Sequence, residues 1–391
     1  MELTKDGVIG VIGAGTMGAG IAQVAANSGH LVKVYDTNPT AIEKGAAGLK
    51  SSISKLVEKQ KITSEKGDSI LKRIQWIDSL DKFSDCSLVI EAVIENLEVK
   101  QKLFSELEKI VGASCVLATN TSSLSVTSIA SACRNQGRVI GIHFFNPAPI
   151  MPLVEIIRGI ATSVEVESEI KKLIDGWGKS TVLAKDTPGF IVNRVARPYY
   201  GESIRILEEG IADIATIDWA MKEIGGFKMG PFELMDMIGN DINYTVTETV
   251  WTQLFFDARY KPSLTQKRLF EAKRFGKKSG IGYYDYSPNA KMPEPMKDQK
   301  LGQQICDRVV AMLINEAVDA LYLRIATAED LDLAMTKGVN YPKGLLKWCD
   351  ETGAEKILTR LNELKEEYNE DRYRPSMLLK RMVRENKKFY A

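Results

Sequence analysis

Histidine and cysteine are scarce in this 391-residue chain, with two of the first and five of the second. Cys86, Cys115, Cys133, Cys306 and Cys349 are scattered without CxxC spacing, which argues against a metal site and a disulfide scaffold; buried thiols are expected. An excess of one charge is missing as well. Lys and Arg number 52 against 51 Asp and Glu, a formal net charge of +1, so no strong field exists to recruit nucleic acid or a membrane surface. No uninterrupted apolar run approaches membrane-spanning length and the N-terminus lacks a signal-peptide pattern, so a cytoplasmic location is expected. The length exceeds the size at which one core stops growing, and two or three domains are expected.

What is present begins at the first strand-like run, Gly7 to Ile12, followed at once by Gly13-Ala14-Gly15-Thr16-Met17-Gly18. This is a GxGxxG run. The first Gly allows a tight turn, the second lets a pyrophosphate approach the backbone, and the third lets the next helix pack closely on the strand. Such a run also occurs in other glycine loops, so its context decides. A helical segment, Ala19 to Ser28, leads through Gly29 to a second strand, Leu31 to Tyr35, ending in Asp36, 23 residues after Gly13. An acidic residue there accepts hydrogen bonds from an adenosine ribose and repels a 2′-phosphate, which favours NAD over NADP. Gly13, Gly15, Thr16, Met17, Gly18 and Asp36 are therefore the first candidate cofactor-binding residues.

Strand and helix continue to alternate. Ala41 to Gln60 and Leu97 to Ile110 have helical character, while Ile70 to Trp76, Leu88 to Val93, Val116 to Thr119, Val139 to His143, Leu153 to Ile157 and Ser180 to Leu183 read as strands. A mostly parallel, helix-covered sheet follows, with ligands at the carboxyl ends of its strands. Asn120-Thr121-Ser122-Ser123 follows one such end and His143 another. In GIHFFNPAPIMPLVE, residues 141 to 155, His143 precedes a Pro-rich turn and Glu155, the outline of a proton-transfer pair. Plainer roles exist for each residue: a satisfied core histidine, a Glu155 facing water on a sheet edge, Asn120 and Ser122 as helix caps, Asn193 as a solvated helix residue. His30, between Gly29 and a strand, reads as structural.

After Asp186-Thr187-Pro188-Gly189 the pattern turns helical and contains a repeat. Arg194, Glu202, Asp218, Gly230, Asp236 and Gly239 recur at an offset of 114 as Arg308, Glu316, Asp332, Gly344, Asp350 and Gly353. Arg259-Tyr260-Lys261-Pro262-Ser263 recurs at 113 as Arg372-Tyr373-Arg374-Pro375-Ser376. Two copies of one helical domain are expected, joined by the Pro- and Lys-rich segment Ser287 to Lys300. The expected fold is thus a Rossmann-type α/β domain over 1–185, followed by two tandem all-α domains over 186–290 and 300–391.

With GVIGAGTMGAGIA, EAVIENLEVK, TNTSSL, HFFNPAP, KDTPGFIVNR and GKKSGIGYYDY in order, the chain resembles the 3-hydroxyacyl-CoA dehydrogenases over essentially its whole length. The resemblance is to the fatty-acid β-oxidation and 3-hydroxybutyryl-CoA type. It implies oxidation of (S)-3-hydroxyacyl-CoA by NAD, with His143 as catalytic base, Glu155 as its orienting partner, and Ser122 and Asn193 lining the substrate site. It also implies cofactor contacts at Asp36, Glu95, Lys100, Asn146 and Lys278, with Ser122 shared, and coenzyme A contacts at Ser52 and Lys59. Lys55, Lys59 and Lys61 could equally be a solvated helix face. No metal is implied. Longer members of the family carry two helical copies that pack within one chain, so residues 301 to 391 are expected to act as a covalently attached partner, in a monomer or a homodimer. The second copy has Asp307 where the first has Asn193 and is not expected to be a second active site.

Lys228 stands where the family commonly has Pro, a departure that touches helix packing. No hydratase-like stretch precedes residue 1, so oxidation and reduction alone are expected. Two other readings compete: a gulonate-type sugar-acid dehydrogenase, which would share the fold, His143 and the NAD site without needing coenzyme A, and a non-catalytic NAD-binding protein.

Overall fold

Short β-branched runs separated by glycine turns and amphipathic helices build one eight-stranded sheet in the first of two units, Met1–Thr187 and Pro188–Ala391. The structure is a computed structural model and describes residues 7–390. The outer limits of the expected first and last domains, residues 1–6 and 391, lie outside the described residues.

The order of elements in the first unit is β1 (Val8–Ile12), α1 (Thr16–Asn27), β2 (Val32–Tyr35), α2 (Pro39–Glu58), α3 (Ser64–Lys72), β3 (Ile74–Ile77), β4 (Cys86–Glu91), α4 (Leu97–Ile110), β5 (Val116–Thr119), α5 (Val126–Ala130), β6 (Val139–Phe144), β7 (Leu153–Arg158), α6 (Val164–Gly176) and β8 (Ser180–Lys185). In the sheet they stand as β3-β2-β1-β4-β5-β6-β7-β8. The chain first winds outward from β1 to β3, then restarts on the other side of β1 at β4. That reversal opens a crevice beyond the carboxyl ends of β1 and β4, where a doubly wound sheet binds its ligands. All neighbours are parallel except β6 and β7, which pair antiparallel.

Alternation along the strands sorts side chains onto two cores. Ile9, Val11, Val32, Val34, Leu88 and Ile90 face one layer with α1, α2 and α6, while Ile12, Val89 and Leu117 face the other with Phe104 and Leu107 of α4. Two elements differ from expectation. The run expected as a strand from Ile70 is helical through Lys72, because Thr63 caps α3 and Ile70 is its inward face; β3 starts at Ile74. Helix α6, capped by Ser163, covers β7 and β8, where the sequence reading placed no element. All five cysteines are buried and unpaired, and burial pushes the Cys86 and Cys115 thiols up to about 12.

The second unit is helical and is built around a 24-residue helix, Gln299–Tyr322. Positions related by the sequence offset make matching contacts there. Arg194 Nε donates to Glu316 Oε1 at 2.9 Å, and Arg308 Nε donates to Glu202 Oε1 at 2.7 Å. The Tyr260 hydroxyl donates to Glu316 and the Tyr373 hydroxyl to Glu202. Asp218 accepts from the backbone of Phe232 and Glu233, and Asp332 from that of Leu346 and Lys347. Even the closing segments agree: Tyr284 reaches Asp236 through its N–H and Asp218 through its hydroxyl, and Tyr390 reaches Asp350 and Asp332 in the same way. Among the described residues no helix is long and apolar enough to cross a membrane.

Candidate active site

Strand β1 delivers the glycine loop to the crevice. Gly13 has a φ of +104°, and a Cβ there would strike the carbonyl of Ala92, which follows β4. A Cβ on Gly18 would overlap the Gly13 carbonyl oxygen, so the third glycine is what lets α1 begin so close to β1. Helix α1 starts at Thr16 with Gly15 at its N-cap and no side-chain cap, which leaves its first N–H groups for an anion. Asp36, at the end of β2, accepts from Ala14 N at 2.8 Å through one oxygen and from Asn38 N at 2.9 Å through the other. An uncapped helix start, a tight glycine turn and a carboxylate at the second strand fit an adenine dinucleotide. For Gly18→Ala we expect loss of NADH binding by fluorescence titration with the fold retained by circular dichroism; unchanged affinity would separate the loop from the cofactor.

His143 and Glu155 meet because β6 and β7 run antiparallel in a register that sets them directly opposite. His143 Nδ1 lies 2.6 Å from Glu155 Oε2, with the carboxylate fully buried and the imidazole 5% exposed. Glu155 therefore does not face water on an edge; β8 covers that side of β7. With the Glu155 carboxylate as acceptor, Nδ1 is the donor, which fixes the orientation of the ring. Phe145 packs on the imidazole, ring centroids 4.5 Å apart. Asn146 follows, exposed, in a cis peptide bond with Pro147.

Ser122 sits on a loop held by carboxylates. Oε1 of Glu95 accepts from Thr121 Oγ1 at 2.6 Å and from the backbone N–H groups of Ser122 and Ser123 at 2.9 and 3.1 Å. Lys100 Nζ bridges Glu95, at 3.3 Å, and the fully buried Glu91, at 2.5 Å. Glu91 in turn accepts from Thr119 Oγ1 at 2.7 Å. Burial pushes the Glu95 carboxyl up, but the Lys100 charge and the Thr121 and Ser122 hydrogen bonds outweigh it and hold it below its ordinary value. At 1% exposed, Lys100 is enclosed by this network. Asn120 and Ser122 do not cap the next helix. Ser125 does, and Asn120 Oδ1 instead accepts from Phe144 N at 2.8 Å, tying β5 to the strand that carries His143.

Ser52 and Lys59 lie on and just after α2, both exposed. Ser52 lines a groove of about 740 Å³ between α1, α2, the Pro147–Ile150 turn and Lys179. Lys179 Nζ donates to the carbonyls of Ala148 and Met151, bracing that turn. In the second unit Asn193 lies on the helix Val192–Val195, and Lys278 pairs with Asp241 at 2.6 Å. His30 is buried, with Nδ1 3.0 Å from the Gly7 carbonyl and its ring edge-on to Trp177. No group of three or more His, Cys, Asp or Glu that could hold a metal ion occurs among the described residues. The sequence reading missed Glu91, although a carboxylate ending an apolar strand run was its signal, and Lys179, which had none.

The 3-hydroxyacyl-CoA dehydrogenase, NAD binding domain family matches residues 8–187, and the 3-hydroxyacyl-CoA dehydrogenase, C-terminal domain family matches residues 189–286 and 305–389. The 3-hydroxyadipyl-CoA dehydrogenase of Escherichia coli is 38% identical over 95% of this chain and 96% of its own. A probable 3-hydroxybutyryl-CoA dehydrogenase of Bacillus subtilis is 42% identical over 71% of this chain and 96% of its own. The crystal structure of 3-hydroxybutyryl-CoA dehydrogenase from Escherichia coli K12 superposes with a TM-score of 0.92 at 36% identity, covering 97% of this chain and 98% of that one. Glycine loop, buried His–Glu pair and full-length matches agree: the chain belongs to the NAD-dependent 3-hydroxyacyl-CoA dehydrogenases.

Proposed function

We propose that His143 is the base that interconverts (S)-3-hydroxyacyl-CoA and 3-oxoacyl-CoA at this site. The observation that carries the reading is the buried 2.6 Å contact between Glu155 and Nδ1 of His143, on a strand that neighbours β5, from which the Ser122 loop leaves. Bound NAD supplies the hydride acceptor. Nε2 of His143 takes the proton from the 3-hydroxyl as that carbon is oxidised, and the ring becomes imidazolium. Glu155 stabilises the cation and fixes the tautomer. Ser122, held by the Glu95 cradle, and Asn193 donate to the 3-oxygen or the thioester carbonyl and orient the reacting carbon. In reduction the same imidazolium returns the proton to the 3-oxygen.

Gly13, Gly15, Thr16, Met17 and Gly18 take the pyrophosphate, Asp36 the ribose hydroxyls, and Glu95, Asn146 and Lys278 further parts of the cofactor. Lys100 acts through Glu95, which its burial supports. Ser52, on α2, and Lys59, the residue that ends it seven positions on, meet coenzyme A. Residues 300–391 act as an internal partner for 186–290, forming a pseudo-dimer; the reciprocal Arg194–Glu316 and Arg308–Glu202 pairs support this, as does the double match of one C-terminal domain.

Steady-state oxidation of NADH and of NADPH with acetoacetyl-CoA, beside reduction of NAD with a gulonate-type sugar acid, tests the reading. Turnover of the thioester with NADH in preference to NADPH is expected. Turnover of the sugar acid alone would move the substrate class while keeping the base, and no turnover of either would leave an NAD-binding protein.

A further inference from the structure

Six arginines are buried among the described residues: Arg138, Arg194, Arg197, Arg259, Arg308 and Arg372. Five face a carboxylate: Arg138 has Glu108, Arg194 and Arg259 share Glu316, Arg308 has Glu202, and Arg372 has Glu370. Arg197, 7% exposed, has none among the described residues. Its Nη1 donates to Thr247 Oγ1 at 3.0 Å, its guanidinium lies 4.9 Å from the Tyr200 ring centroid, and its Nε is enclosed without an acceptor. Burial with no offsetting carboxylate holds this guanidinium below its ordinary value. For Arg194, Arg259 and Arg308, burial is outweighed by the facing carboxylates and the shift is upward. A buried cation without an anion is costly and is kept only where something compensates it.

The repeat provides an internal comparison. At the same offset, Arg197 corresponds to Ala311, Asn243 to Ile357 and Thr247 to Leu361, counted from Gly239 and Gly353; Gln266 corresponds to Leu379, counted from Ser263 and Ser376. In the first stretch these side chains form a buried polar cluster, with Gln266 Nε2 donating to Asn243 Oδ1 at 2.6 Å and lying 3.3 Å from Thr247 Oγ1. All four counterparts are buried and apolar. The helical framework therefore closes without polar groups at these positions, and packing does not account for them.

Arg197 lies four residues after Asn193, and Ala196 between their helices keeps a right-handed helical backbone. The two side chains thus share one face, about 6 Å apart along the axis, a span that a few methylenes cover. We infer that Arg197, with Thr247 and Asn243, receives a carboxylate at the far end of the substrate's acyl chain. The preferred substrates are then 3-hydroxyacyl thioesters of coenzyme A whose chain ends in a second carboxylate. This rests on the acyl-CoA reading of the site and on Asn193 facing the substrate.

The test is kcat/KM with NADH for 3-oxoadipyl-CoA and 3-oxohexanoyl-CoA, thioesters of equal chain length that differ in a terminal carboxylate against a methyl. Wild type should favour the carboxylate by about 10- to 100-fold, the worth of a charge-assisted hydrogen-bonded pair. In Arg197→Met that ratio should fall to about one, and in Thr247→Val it should fall part of the way. A wild-type ratio near or below one overturns the inference without any variant, as does an Arg197→Met protein that loses rate on both thioesters equally. In either case the acyl-CoA reading stands. No turnover of either thioester by the wild type would overturn both.

Discussion

Replacing His143 with Ala is expected to lower kcat for acetoacetyl-CoA reduction by about 10²- to 10⁴-fold, the usual contribution of one general acid or base. KM should change little, because the imidazole is spent on a proton that moves only in the transition state. The geometry sets this split. His143 is 5% exposed, and Glu155, 2.6 Å from its Nδ1, fixes the orientation of the ring. Stopped-flow measurement of NADH oxidation in a single turnover separates the chemical step from release. A variant that keeps its single-turnover rate would remove His143 from the role of base. A variant whose loss lies wholly in KM would make it a binding residue.

The second large effect is on stability. Glu316→Ala should destabilise the helical unit by about 3–5 kcal/mol, the cost of removing one member of a buried ion pair and leaving its partner uncompensated. Glu316 is 1% exposed and serves Arg194, Arg259 and the Tyr260 hydroxyl at once. Glu202, fully buried, does the same for Arg308 and Tyr373, so Glu202→Ala should cost a similar amount. For a unit of this size each kcal/mol lowers Tm by roughly 2–4 °C. Differential scanning calorimetry of the two variants checks the pairing: losses of comparable size are expected, and a near-silent Glu316→Ala would show that the pair is marginal. Glu316→Gln, which keeps the volume, should lose less if the charge and not the shape is responsible.

Much of the first unit was legible because its signals are local. The glycine loop, the helical character of Leu97 to Ile110 and the β-branched strand runs are each encoded within a dozen residues. What could not be read depended on pairing across the chain. That Glu155 is interior follows from β8 adding beyond β7, and no property of Leu153–Arg158 announces it. The Glu91–Lys100–Glu95 chain is similar: the sequence supplies three charged residues within ten positions, and only the turn after β4 folds them into one network. Asn120 illustrates a competition between two polar roles. Its side chain accepts from Phe144 N instead of capping α5, because Ser125 stands at the helix start and Asn120 directly follows β5, beside β6. The helical repeat was visible as matched letters, but its reciprocal salt links needed coordinates.

Those links tie segments that differ by more than 100 positions in sequence, yet they belong to a single polypeptide. Contacts of this kind between separate subunits are made at the prevailing protein concentration and weaken on dilution. Here each segment meets the other at the effective concentration set by the chain that connects them, which dilution does not change. The Tm of the helical unit should therefore be independent of how much protein is in the tube. The two stretches are also free to diverge, since a substitution in one is not copied into the other. Arg197 opposite Ala311 is what such freedom leaves behind.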